Sequence, residues 1–149
     1  MRPCVSMLCV VGFLVAADDA KDKAVKEEMK KFDGGWQPVT LKANGQEVPA
    51  EDLKKVHVAV EGGQYTVKVE DNVVEKGAFT VDPGKKPKQI DMKATEGQNQ
   101  GKSFHGIYEL EGDDLKVCFA EADKDRPKEY AAEKDSGQVL HVYKRAKAK

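Results

Sequence analysis

Between Gly34 and Arg145 the chain carries about eight short segments in which apolar and polar residues alternate, the period-two signature of strands with one buried face. The clearest pair is Val56, Val58 and Val60 alternating with His57 and Ala59, then a Glu61-Gly62-Gly63-Gln64 turn, then Tyr65, Val67 and Val69 alternating with Thr66 and Lys68. Such a run around a Gly-Gly turn predicts a hairpin. Before it, a strand over Trp36 to Leu41 ends at Asn44-Gly45, and Val48 to Lys55 reads as a helical turn that starts near Pro49 and points Leu53 inward. After it come Val73 to Val81, with Gly77 marking a bulge or a close backbone approach, and Ile90, Met92 and Ala94. Phe104 to Leu110 and Leu115 to Ala120 form another hairpin around Glu111-Gly112-Asp113-Asp114. The run around Tyr130 reads as a weak strand, and Gln138 to Lys144 closes the series.

Ahead of the strands, Val25, Met29 and Phe32 fall at i, i+4 and i+7 among Lys and Glu residues, predicting a short helical lead-in over residues 18–33 that Gly34-Gly35 stops. Consecutive hairpins most simply form an antiparallel meander. A meander this long protects its edges by closing. The expected fold is therefore all-β: a lipocalin-like barrel of about eight strands, residues 34–145, behind a short helix and followed by a basic tail, residues 146–149. An eight-stranded barrel is either filled by side chains or hollow enough for one small ligand.

The first residues add an address. Arg2 precedes an uncharged apolar run from Val5 to Ala17, and Asp18-Asp19 follows. That run is shorter than the ~20 residues a spanning helix needs, and Val15-Ala16-Ala17 offers small residues for cleavage, so residues 1–17 read as a secretory signal peptide. The mature protein is expected to be exported, periplasmic or extracellular, with no membrane span after cleavage. Lys+Arg number 25 against Asp+Glu 26, with the signs interleaved, which argues against a nucleic-acid partner.

Chemistry is sparse. Of three cysteines, Cys4 and Cys9 leave with the leader, and Cys118 sits in a strand-like run where a buried thiol is the simplest reading; an intermolecular disulfide or reactive thiol is the alternative. Gly97 to Ser103 resembles a phosphate-binding loop with one residue too few between its glycines, and it leads into a strand instead of a helix. His57, His105 and His141 lack a metal-ligand spacing. Ser103 and Ser136 lie in no nucleophile setting, and Glu109, Glu111, Asp113, Asp114, Asp123 and Asp125 read as solvated turn residues. No metal, cofactor or catalytic residue is predicted, and the chain is read as a non-enzyme.

Gly34-Gly35-Trp36 at the first strand, with Arg145 after the last, is similar to the lipocalin-like (calycin) pattern, in which the tryptophan packs against a basic residue of the closing strand. Further segments, among them Gly45 to Glu51, Lys86 to Asp91, Gly106 to Leu110, Leu115 to Ala120, Arg126-Pro127 and Ser136 to Leu140, together resemble a family of small domains expanded in Planctomycetes. The chain departs from that pattern at Gly35, in place of Thr, and at His105, in place of a larger aliphatic residue. The resemblance implies an exported calycin-like barrel, with Gly34, Trp36 and Arg145 closing one end. It brings no biochemical function and no catalytic residues.

The aromatic residues carry the functional expectation. If the interior is hollow, Trp36, Tyr65, Phe79, Tyr108 and Phe119 line an apolar pocket, with tyrosine hydroxyls orienting a ligand. The expected function is thus an exported binding module for a small, largely apolar molecule. The alternative is an interaction or inhibitor domain with a filled core, which meets an envelope protein through the Pro83 to Lys88 and Glu96 to Lys102 loops.

Overall fold

The computed structural model describes residues 15–146 and shows a closed, eight-stranded antiparallel barrel. Helix α1 (Val15–Lys30) leads into strands β1 (Gly34–Ala43) and β2 (Gln46–Glu47), the short helix α2 (Ala50–Leu53), and strands β3 (Val56–Glu61), β4 (Gln64–Val69) and β5 (Asn72–Asp82). Strands β6 (Lys88–Gly97), β7 (Ser103–Glu111), β8 (Asp114–Ala120) and β9 (Gln138–Arg145) complete the chain. Each strand pairs with the next around the wall, apart from two-residue β2, which is appended to β1 alone. Closure comes from β1 and β9, which pair from Trp36↔Arg145 to Ala43↔Val139. No strand of the wall is left with an open edge, as the meander predicted.

The wall has one seam. β1 and β3 pair only over Gly34↔Val60, Gly35↔Ala59 and Trp36↔Val58 before they diverge. Buried Leu53 of α2 lies in this gap, and the Gln37 amide bridges it by donating to the Leu53 carbonyl at 2.6 Å and the Val56 carbonyl at 2.9 Å.

Helix α1 ends two residues earlier than Phe32, which rides on a terminal turn made by Lys31 N–H to Glu28 O at 3.0 Å and Phe32 N–H to Met29 O at 3.0 Å. That turn seats Phe32 in the barrel end between Phe79 and Tyr108, with ring centroids 5.3 and 5.2 Å away. The expected leader, residues 1–17, lies outside the described residues except for its last three, which belong to the backbone of α1.

One expected strand does not form. The run around Tyr130 belongs to a loop from Glu121 to Gly137 that crosses the outside of the barrel. Its reason is a second, smaller apolar cluster: outward-facing Ile107 and Cys118, cross-strand partners on β7 and β8, are covered by buried Pro127 and Ala132 of the loop. Separate hydrogen-bond anchors replace strand pairing. Arg126 donates to the carbonyls of Ile90 and Gly106 at 3.1 and 2.7 Å and to Asp91 Oδ1 at 2.7 Å, and Gly45 N–H donates to Ala132 O at 2.7 Å. Cys118 is fully buried, its Sγ 3.3 Å from Ala131 O, and burial pushes the thiol pKa up despite that contact.

Candidate functional site

The two ends of the barrel are built differently. At one end α1 and its turn form a plug. Buried Trp36 donates from Nε1 to Phe32 O at 2.7 Å, while the Arg145 guanidinium lies 4.3 Å from the centre of its ring. Arg145 also donates to the carbonyls of Asp33 and Lys31, both at 2.8 Å, and to Asp113 Oδ1 at 3.1 Å. It thereby satisfies carbonyls that the end of α1 leaves without helical partners. Gly34 leaves the room this requires, since a side chain there would meet Arg145 Nη1.

Beside the plug is Glu28, a buried carboxylate that accepts from Lys31 at 2.9 Å, Lys88 at 3.1 Å and the Tyr108 hydroxyl at 3.1 Å. Burial alone would raise its pKa. The three donors outweigh that cost and hold the carboxyl below its ordinary range.

Above the plug the barrel is hollow. A cavity of about 1300 Å³ runs to the opposite rim, above the ~300–1,000 Å³ usual for small-molecule sites. Its walls are mainly apolar, with Val58, Val60, Val67, Ile90, Met92 and Val117 among them. The mouth is edged by exposed Val69 and Val74, with exposed Val73 beside them and Gln98, Lys102 and Glu121 completing the rim.

Two glycines keep the lumen open. Gly77 on β5 is the cross-strand partner of Tyr65, and Gly106 on β7 is that of Phe119. A Cβ at Gly77 would collide with the Tyr65 ring, and one at Gly106 with the Phe119 ring, 2.6 Å from its nearest carbon. Both rings therefore lie flat across their partner strands instead of projecting into the middle.

Polar groups on the wall form a small set. Glu75 Oε1 accepts from the Tyr65 hydroxyl at 3.0 Å, and Oε2 accepts from Asn99 Nδ2 at 2.8 Å. His141 Nδ1 lies 2.8 Å from the Tyr143 hydroxyl, with the two rings stacked 5.6 Å apart. Burial lowers the His141 pKa to about 4, so the ring is neutral at physiological pH. Burial, with Glu75 nearby, raises the pKa of Tyr143, and the same causes raise that of Tyr65.

Of the aromatic residues expected to line a pocket, Trp36, Tyr65, Phe79 and Phe119 are on the cavity wall. Tyr108 is not. It faces inward at the depth of the plug, under Phe32, with its hydroxyl on Glu28. Glu75 and Asn99 are functional candidates that the sequence reading passed over, and His141, considered there only as a metal ligand, is a third. Parity carried a signal for two of them: Glu75 precedes Gly77 and Phe79 at steps of two, and His141 precedes Tyr143. Asn99 sits in a turn, and nothing in its neighbours pointed to Glu75.

The remaining histidines are outside the lumen: His57 is exposed on β3, and His105 Nδ1 is 2.7 Å from Asp91 Oδ1. Among the described residues no cluster of three or more metal-ligating side chains occurs, and no helix is long and apolar enough to cross a membrane. The loop from Gly97 to Ser103 joins two antiparallel strands at the mouth, with no helix after it. Fold and cavity together describe a hollow, lipocalin-like barrel plugged at one end. Comparisons with protein-family models, curated proteins and solved structures find no match to this chain.

Proposed function

We propose that the chain is an exported binding module that takes one small, largely apolar molecule into its barrel, as a member of the Planctomycete-expanded group of lipocalin-like domains it resembles. The observation that carries this reading is the cavity of about 1300 Å³, walled by aliphatic and aromatic side chains and entered past exposed valines. Packed interiors hold few voids larger than a water molecule, so a hollow of this size departs from ordinary core packing. The cavity favours this reading over the interaction-domain alternative, which rested on a filled core. Glu96 to Lys102, one of the two loops considered for protein contacts, instead contributes Gln98, Asn99 and Lys102 to the cavity.

Purification from an exporting host, followed by paired native and denaturing mass spectrometry, tests the reading. The expected result is an additional mass in the native spectrum that is lost on denaturation, or stoichiometric uptake of an uncharged fluorescent apolar probe by ligand-free protein. A bare polypeptide mass combined with no probe uptake overturns it.

A further inference from the structure

Glu75 is the one acidic side chain on the wall below the rim, and no Lys, Arg or His among the described residues forms an ion pair with it. Its partners, the Tyr65 hydroxyl and the Asn99 amide, are neutral donors, one to each oxygen. A carboxylate oxygen accepts more than one hydrogen bond, so both retain capacity toward the lumen. The other ionisable groups facing the cavity are His141 and Tyr143, both neutral at physiological pH, and Lys102 and Glu121, exposed at the rim with opposite signs. The interior thus presents one carboxylate that has no ion pair among the described residues, in a chamber whose lining is largely apolar.

The position of that charge matters as much as its sign. Glu75 lies near the mouth, paired across strands with Gly97, whereas Phe79 on the same strand lies by the plug. Four residues of strand separate them, about 13 Å at ~3.3 Å per residue. Val67, the cross-strand partner of Glu75, and Met92, that of Phe79, line the wall together with Phe104 and Val117.

Building on the cavity reading, we propose that the natural ligand is an elongated amphiphile with a protonated nitrogen at one end, its apolar tail down the barrel and its cationic head on Glu75 beneath the rim. Tyr65 and Asn99 are positioning residues: their bonds fix the carboxylate so that its open lone pairs face the head. A ligand ending in a carboxylate meets like charge at Glu75 and again at Glu121.

Displacement of an uncharged fluorescent probe by decylammonium, decanol and decanoate, which share one tail and differ in the head, tests the proposal. The expected order is decylammonium tighter than decanol by about tenfold, the scale separating charge-assisted from neutral hydrogen bonds, with decanoate weakest. Glu75→Gln abolishes the gap between amine and alcohol, while Glu75→Asp, which keeps the charge, retains a preference for the amine; unchanged melting of both variants shows that they fold. Equal affinity for amine and alcohol, a preference that survives in E75Q, or tightest binding of decanoate overturns the head-group assignment and leaves the cavity reading intact. Failure of all three compounds and of the probe itself to bind overturns both.

Discussion

The plugged end and the open end share the same eight strands, yet they use side chains for opposite purposes. At the plug Phe32, Trp36 and Tyr108 are each no more than 2% exposed, the Trp36 indole and the Tyr108 hydroxyl both donate hydrogen bonds, and Arg145 ties the helix turn to the closing strand. At the mouth, side chains of similar character line empty space, and a carboxylate faces it without a counter-ion. Burial is graded along the barrel: one cluster runs from Phe32 and Trp36 up the wall through Tyr65, Ile90 and Phe119, while Val58, Val67, Met92 and Phe104 pack against it only half-buried. Both arrangements rest on the same alternating pattern; depth along the barrel separates them.

The largest way to test this division is Phe32→Ala, expected to cost roughly 3–5 kcal/mol because it opens a void in a close-packed site. Val67→Ala on the cavity wall, which only enlarges an existing hollow, is expected to cost less than about 1 kcal/mol. Urea unfolding of the two variants measures the contrast, and equal costs would show that the plug is no better packed than the wall. Arg145→Ala comes next, at roughly 2 kcal/mol, from two lost hydrogen bonds to the α1 turn and loss of the stacked cation. A red shift of Trp36 emission should accompany it, reporting water at the plug.

Acid should separate the two ends by pH. His141 in the wall has its pKa lowered from 6.5 to about 4, so as pH falls between those values protons bind the unfolded chain preferentially and stability drops. Glu28 at the plug has its pKa held below the ordinary carboxylate range, so its contribution is complete above that range and is lost as pH falls through the lower, folded value. Thermal melts across this range should lose their upper slope in His141→Asn and their lower slope in Glu28→Gln. The smallest expected effect on stability is that of Glu75→Gln, within about 0.5 kcal/mol, since its site is open to the lumen. A larger loss would place Glu75 among the residues that hold the barrel together.

Much of this architecture was legible before any coordinates. Alternation located the hairpins, Gly62-Gly63 and Gly112-Asp113 marked their turns, and the i, i+4, i+7 stripe of Val25, Met29 and Phe32 located the helix that docks on the barrel. What escaped depended on third-dimensional depth and on loops. Tyr108 has the inward parity of Phe104 but lies at the plug, and parity alone does not distinguish a lumen position from a plugged one. Asn99 reaches Glu75 through a turn whose path no periodicity describes. The run around Tyr130 carries strand-like residues, yet its partners are the outward-facing Ile107 and Cys118, invisible until the barrel's outer face exists.

The pairing of Gly77 with Tyr65 and of Gly106 with Phe119 has a consequence for how the interior of the barrel can vary. Because each ring rests where its neighbour lacks a side chain, chamber shape is encoded partly by atoms that are missing. A Gly→Ala replacement at Gly77 would press on the Lys93 carbonyl as well as the Tyr65 ring, and one at Gly106 on the Cys118 carbonyl as well as the Phe119 ring, so either would shift strand backbone together with a ring. The contour of the interior and the geometry of its wall are thus tied to the same two absent side chains, and neither is recut without bending the strands that carry it.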